Sequence, residues 1–318
     1  MKFQWFVGFG VLLLLTLFGA CQPKPASDTA EPTRFLMVLG VAQDAGYPQT
    51  ACAKACCQHY WDQETTAKYP ACLALVDEAR DVFWLFEASP DIKFQLEKIY
   101  DQTRITPGKM PAGIFLTHAH IGHYAGLMHF GREVIGADSI PVYVMPRMET
   151  FLRSNGPWSQ LVDLGNIKLV SLTADSIFWL ENQIGVRAFE VPHRDEFSET
   201  VGFDIKASDL NFLFIPDIDK WEKWDRDIRE EIKAVDYAFV DATFFDNGEL
   251  PNRDMSEIPH PFVVETISLL DTMESVEKSK VYFMHFNHTN PLLFDESARK
   301  RVWEQGFNIA REGARIEF

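Results

Sequence analysis

The chain has 318 residues, 47% of them hydrophobic and 24% charged, with a net charge of −16 and a pI near 5.0. That length and apolar content suffice for one large core, and no internal repeat or long low-complexity tract stands out. The acidity, with no basic cluster, argues against a nucleic-acid partner and names no partner of its own.

Met1-Lys2 is a short positive start, and Phe6 to Phe18 is an apolar run. The run is too short for a comfortable membrane span and suits the core of a signal peptide. It ends Leu17-Phe18-Gly19-Ala20-Cys21, which resembles a bacterial lipoprotein signal with Cys21 as the lipidated residue. A plain signal peptide and an N-terminal anchor are the alternatives. Residues 1–20 are therefore expected to be a signal, 21–33 a polar, Pro-rich tether, and 34–318 the folded domain. This predicts a domain in the cell envelope, periplasmic or extracellular, held to a bacterial membrane by an N-terminal lipid.

Arg34 to Val41 reads as a buried strand, followed by a loop from Gln43 to Gln49 and a cysteine-rich stretch, Cys52 to His59. Cys72 to Val76 and Val82 to Glu87 read as paired strands, and Ser89-Pro90 opens a helix running to about Tyr100. Gly113 to Leu116 is an apolar run that stops at Thr117-His118-Ala119-His120-Ile121-Gly122-His123, with a helix start from Tyr124. Further strands are expected at Pro141 to Met145, Ile167 to Val170, Gly185 to Val191, Val201 to Ile205, Asn211 to Ile215, Tyr237 to Val240 and Val281 to Met284. Helices are expected at Arg147 to Leu152, Asp219 to Lys233, Pro261 to Met273 and Ser297 to Gln305. Five apolar strands stop at a potential ligand: His118, His193, Asp217, Asp241 and His285. Strand ends and the loops after them are where α/β folds collect chemistry.

Three histidines at i, i+2 and i+5 after a buried strand can point into one cleft, and neutral imidazole is a common zinc ligand. The order His-x-His-x-x-His, then His193, Asp217 and His285, resembles the metallo-β-lactamase superfamily. The resemblance covers Arg34 to Phe318. It implies an α/β fold, a four-layer αββα sandwich of two mixed sheets flanked by helices. It also implies that His118, His120, His193 and Asp217 hold a first metal, and that His123, His285 and the bridging Asp217 hold a second. The superfamily carries an Asp where this chain has Gly122. A second site without that carboxylate is expected to be weak or empty. Gly46-Tyr47-Pro48-Gln49, Ala88-Ser89-Pro90-Asp91-Ile92, Gly156-Pro157-Trp158-Ser159 and Thr289-Asn290-Pro291 are similar to blocks of the pyrroloquinoline quinone biosynthesis protein B group. The signal sequence suits a family member exported for another task.

The cysteine loop is similar to one in the phosphodiesterase of phosphonate breakdown. That likeness implies a structural zinc on Cys52, Cys56, Cys57 and the distant His260, with His59 and Cys72 as rival ligands. Disulfides are the alternative in an oxidising compartment.

A bound zinc lowers the pKa of its water, so the expected activity is hydrolysis of an ester, lactone, amide or phosphodiester in a small-molecule substrate. Asp217 is the expected proton acceptor, and His288 and Arg194-Asp195-Glu196 are candidates to touch substrate or ligands. Trp158, Phe197 and Trp179 are candidates for the pocket wall. Iron or manganese could replace zinc. An iron-dependent redox enzyme, using the position opened by Gly122, and a non-catalytic metal-dependent binding lipoprotein are the rival readings.

Overall fold

The structure is a computed structural model that describes residues 33–180, 184–251 and 253–318; the signal, Cys21 and the tether up to residue 32 lie outside the described residues. The first sheet is built on β1 (Arg34–Gly40), β2 (Cys72–Asp77), β3 (Val82–Phe86), β4 (Gly113–Phe115), β5 (Ile140–Val144) and β6 (Ile167–Ser171). The second holds β7 (Ile177–Trp179), β8 (Ile184–Glu190), β9 (Val201–Ala207), β10 (Leu210–Ile215), β11 (Tyr237–Asp241), β12 (Val281–Met284) and β13 (Asn308–Ile309). A last strand, β14 (Arg315–Glu317), returns to the first sheet beside β1, so each sheet has seven strands.

Helices cover the outer faces or cap the sheet ends: α1 (Ala55–Trp61), α2 (Ile92–Gln102), α3 (Ile121–Tyr124), α4 (Pro146–Ser154), α5 (Trp158–Asp163), α6 (Ile228–Lys233), α7 (Val263–Leu269), α8 (Ser275–Lys278) and α9 (Glu296–Glu304). This is the expected αββα sandwich. The two sheets share one plan: three antiparallel pairings followed by three parallel ones. The duplication is of topology and leaves no repeat in the sequence.

β1 and β2 read as unbroken apolar runs because both of their faces are buried. Leu36, Val38, Leu73 and Leu75 face the second sheet, while Phe35, Met37, Leu39, Ala74 and Val76 pack in the layer that includes Ile92 and Ile99 of α2. The sheets are joined by aromatic rings. Phe86 and Phe115 stack at 5.0 Å in the first sheet, and Phe203 of the second meets each of them edge-on at 5.7 Å. Phe214 adds a further edge contact to Phe86 at 6.2 Å.

The charged helix expected over Asp219 to Lys233 is instead a short 3-10 turn, Trp221–Lys223, followed by α6. The Asp227 carboxylate accepts from the Arg229 N–H and restarts the helix. Both indoles are pinned inward, Trp221 Nε1 donating to Thr266 Oγ1 at 2.9 Å and Trp224 Nε1 to the Glu190 carbonyl at 3.1 Å. The expected helix over Pro261 to Met273 contracts to α7, where the Glu265 carboxylate accepts from the Phe262 N–H at 2.9 Å. The edge strands β7, β13 and β14 are two or three residues long and carry too little pattern to be read in advance.

Truncating Phe203 to Ala removes the ring that touches both first-sheet aromatics. It should cost about 3–5 kcal/mol of stability in denaturant unfolding. A loss below about 1 kcal/mol would mean that the two sheets are held together elsewhere.

Candidate metal centre

The site lies where strands of both sheets end. His118 follows β4, His193 follows β8, Asp217 follows β10, Asp241 closes β11 and His285 follows β12. The His-rich stretch turns through α3, with His120 at its N-cap and the His123 N–H donating to the His120 carbonyl at 2.9 Å. The end of β3 straps this turn in place: the Ala88 N–H donates to the His123 carbonyl at 2.8 Å, and the Gly126 N–H to the Ala88 carbonyl at 2.9 Å. A Cβ at Gly126 would sit 2.1 Å from the Ser89 carbonyl oxygen, so only glycine allows that strap.

Asp217 Oδ2 is the centre of the arrangement. It lies 3.3 Å from His118 Nε2, 3.3 Å from His193 Nε2, 3.7 Å from His123 Nε2, and 4.0 Å from both His120 Nδ1 and His285 Nε2. His118 Nε2 and His120 Nδ1 are 2.9 Å apart. The six expected ligands therefore come together. One set, His118, His120, His193 and Asp217, brings its ligand atoms within 4.8 Å of one another.

The opposite nitrogens of three rings are hydrogen-bonded to neighbours, and that of a fourth faces a carboxylate. His118 Nδ1 meets Thr117 Oγ1 at 2.9 Å, His285 Nδ1 meets Thr243 Oγ1 at 2.9 Å, and His120 Nε2 meets Glu196 Oε2 at 3.2 Å. His123 Nδ1 faces Glu87 Oε1 at 3.4 Å. Such outer contacts orient metal-binding imidazoles and fix which nitrogen faces the ion. The inward atoms are the informative ones. Nε2 of His123, Nε2 of His285, both ring nitrogens of His193, Oδ1 of Asp217 and Oδ1 of Asp44 are buried without a hydrogen-bond partner among the described residues. A buried polar atom with no partner costs about 1–3 kcal/mol. One nitrogen of each of these rings, with the Asp217 and Asp44 carboxylates, can offer a lone pair inward, which is the chemistry of a ligand set and fits a divalent metal.

The electrostatics agree. Burial alone would raise Asp217, but the imidazoles of His193, His260 and His285 hold its carboxyl well below the usual range. Burial pushes His118 and His285 well below the usual imidazole value, which keeps them neutral and ready to coordinate. Burial also works on His123, but the Glu87 carboxylate, with Asp44 and Asp217, outweighs it and brings the ring up to about 9. Glu87 itself is fully buried and raised by burial.

Asp241 is buried, and its oxygens are already engaged. Oδ1 accepts from the Thr243 N–H at 2.8 Å and its hydroxyl at 2.6 Å, and Oδ2 from the Ile218 N–H at 3.1 Å and His260 Nδ1 at 2.8 Å. It organises the centre through Thr243 and His260.

Two histidines lie away from their expected places. His260 was expected beside the cysteines; it lies at the metal centre, with Nδ1 3.2 Å from Asp217 Oδ1. Burial opposes its protonation, but Asp241 and Asp217 bring it up to about 10. The segment after His260 is held to the loop that follows β11, the Val263 N–H donating to the Phe244 carbonyl at 3.0 Å, and the His260 ring contacts Phe244 at 6.2 Å and His193 at 5.5 Å. His288 was expected at the catalytic centre; it is half-buried, its Nδ1 is 3.0 Å from Asn287 Oδ1, and burial together with the nearby Lys54 charge lowers its basicity. The turn after His285 thus carries His288 toward the cysteine loop, and it belongs to no metal-capable group among the described residues.

Cys52, Cys56 and Cys57 do converge, their Sγ atoms lying within 4.8 Å of one another. Cys52 Sγ is 3.8 Å from Cys56 Sγ, about the edge of a tetrahedron with metal–sulfur bonds of ~2.3 Å. Cys72 is buried elsewhere, against the backbone carbonyls of Leu73 and Glu87. His59 is turned to Glu64 at 2.6 Å and stacks on Phe294. Of the expected pocket wall, Phe197 packs on Phe151 at 5.5 Å and Phe151 on Trp158 at 6.1 Å, beside the Glu196 that meets His120. Trp179 lies instead on β7, at the edge of the second sheet. Sequence reading missed Asp44 and Glu87 as members of the centre. Glu87 directly follows β3, the signal that picked out the other ligands; Asp44 lies four residues beyond β1 and carries no such signal.

The profile of the Beta-lactamase superfamily domain matches residues 84–286. The chain belongs to this superfamily, in its metal-binding αββα form. Coenzyme PQQ synthesis protein B of Gluconobacter oxydans is 25% identical over 307 residues, covering 87% of this chain and 96% of that protein. The protein of the same name from Rhizobium meliloti is 24% identical over 307 residues, covering 88% and 97%. Among solved structures, Zn²⁺-bound PqqB from Methylobacterium extorquens is similar with a TM-score of 0.74 at 20% identity, over 89% of this chain and 100% of that one. A diphosphatase of the PhnP family is similar with a TM-score of 0.62 at 18% identity, over 90% and 97%. These two likenesses are of fold.

Glu87→Gln keeps the shape beside His123 and removes the charge. It should weaken metal binding about 10–100-fold in competition with a chelator. An unchanged affinity would mean that Glu87 does not support His123 as a ligand.

Proposed function

We propose that this chain is an exported metal-dependent hydrolase acting on an ester, lactone, amide or phosphodiester of a small molecule. The observation that carries the reading is the single oxygen, Asp217 Oδ2, within 4.0 Å of five imidazole nitrogens. When bound there, a zinc, manganese or ferrous ion lowers the pKa of water toward neutrality and polarises a substrate oxygen. The residues of the chain do the rest. Asp217 holds its negative charge at the centre, where the surrounding imidazoles keep it ionised and available to a metal rather than to a proton. His260 keeps its Nδ1–H on Asp241 and stands in one cluster with Asp217 and His285. Phe197, exposed next to Glu196, offers an apolar surface to substrate. The cysteine triad supports a separate structural zinc that ties the long loop after β1 to the core.

The relatives named for coenzyme PQQ synthesis support fold and metal chemistry for this chain. The apolar start ending in Leu17-Phe18-Gly19-Ala20-Cys21 favours a task outside the cytosol, with the domain anchored through Cys21. The redox and binding-only readings leaned on an opening at Gly122. Asp44 takes up that space, and this favours hydrolysis over both.

The test is elemental analysis of the purified protein, followed by assays on aryl phosphodiesters, aryl esters and lactones. Activity should vanish with chelator and return with zinc or manganese. Asp217→Asn and His118→Ala should each lower kcat/KM about 10²-fold or more. Iron in the protein together with peroxide or oxygen consumption would move the assignment to redox chemistry, and full metal content without turnover of any class would leave a binding protein.

A further inference from the structure

Gly122 occupies the motif position where the superfamily's second metal has its carboxylate, and the structure shows what fills the space. A Cβ on Gly122 would lie 2.3 Å from Asp44 Cα and 2.5 Å from Asp44 Oδ1. No side chain fits at 122 while Asp44 is where it is. Asp44 comes from the loop after β1, a different part of the chain, and its carboxylate reaches into the place a motif carboxylate would take.

The loop is held there by the segment just after β12, which carries a metal ligand. Ala42 pairs with Phe286, the Phe286 N–H donates to the Val41 carbonyl at 2.8 Å, and the Gln43 N–H to the Phe286 carbonyl at 2.8 Å. His285 is the neighbour of Phe286, so Asp44 and His285 are delivered by two paired segments. Asp44 itself has φ 24°, a left-handed backbone that a residue with a Cβ seldom adopts. Such strain persists where the surroundings over-determine it, often at a functional site.

The atoms that meet are ligand atoms. Asp44 Oδ1 is buried, has no hydrogen-bond partner among the described residues, and lies 3.6 Å from His123 Nε2. His123 Nε2 and His285 Nε2 are equally buried and without a partner. The three ligand atoms of Asp44, His123 and His285 lie within 4.8 Å of one another. Asp217 Oδ2 is 3.7 Å from His123 Nε2 and 4.0 Å from His285 Nε2. Two imidazoles and two carboxylates then surround one point, a set that suits a divalent zinc, manganese or ferrous ion.

We propose that Asp44 is a ligand of a second divalent metal, held together with His123, His285 and the bridging Asp217. The carboxylate lost from the motif at Gly122 is thus supplied by another loop, and the centre takes two ions. The inference rests on the reading of this site as a metal centre.

Manganese is the probe, because thiolate sites take it poorly and the cysteine loop is thereby kept out of the count. Metal-free protein is titrated with Mn²⁺, bound metal is counted by elemental analysis, and the paramagnetic resonance spectrum is recorded. The parent should bind two ions per chain, with the exchange-coupled signal of a carboxylate-bridged pair. Asp44→Asn and Asp44→Ala should bind one tightly and the second at least about 10²-fold more weakly, and the coupled signal should be lost. Melting curves of the metal-free forms should coincide, which separates ligand loss from misfolding. A parent that binds one ion, or Asp44 variants that keep two coupled ions, would overturn the proposal. His118→Ala separates the two levels. If it loses metal while the Asp44 variants do not, the role of Asp44 fails and the metal centre stands; if neither changes metal binding, the centre itself fails.

Discussion

A carboxylate oxygen ringed by imidazole nitrogens in a dry interior is the constraint on which this molecule turns. Asp217 Oδ2 has five such nitrogens within 4.0 Å. With water excluded, these groups act on one another with little screening, and a buried polar group needs a partner to be tolerated. The fold answers by sending the ends of β4, β8, β10 and β12 to one place. Outer partners, Thr117, Glu87, Glu196 and Thr243, set four of the five rings so that one nitrogen faces the centre, while His193 has no such partner among the described residues. Asp241 is the anchor of this outer layer, because Thr243 and His260 both depend on it.

Convergence of this kind is not relaxed. Asp44, Glu87 and His285 have φ of 24°, 87° and 64°. Non-glycine residues in this region carry roughly 1–3 kcal/mol each. Three of them at one centre must be held by the rest of the structure. The ring contacts of Phe86, Phe115, Phe203 and Phe214 join the two sheets, and Phe115 and Phe214 lie in β4 and β10, two of the strands that feed the centre. Core packing there keeps the strand ends from relaxing away from the strained geometry.

The six motif ligands were legible in the sequence because each carries a local signal, and the resemblance to the superfamily assigned them to metals. His118, His120 and His123 share one turn, and His193, Asp217 and His285 each follow an apolar strand. Asp44 was not legible as a ligand. Its role arises from the pairing of Ala42 with Phe286, a contact between segments far apart in the chain. His260 and His288 show the same limit from the other side. His288 stands three residues after His285, and His260 was placed by likeness to another protein's cysteine loop; neither relation says to which side the chain sends a side chain. The Trp221, Trp224, Ile228 and Ile232 spacing did identify a buried face, but helix propensity alone could not foresee that Asp227 would interrupt it.

The twofold plan of the sheets also bears on how the protein comes apart. The first half of the chain contributes Asp44, His118, His120 and His123 to the centre, and the second half contributes His193, Asp217 and His285. Neither half holds a complete set. A bound ion is therefore a seam between the two sheets, and its binding free energy adds to the stability of the closed sandwich by mass action. Metal supply in the surrounding medium then sets how firmly the halves are joined, as well as whether the site is ready for chemistry.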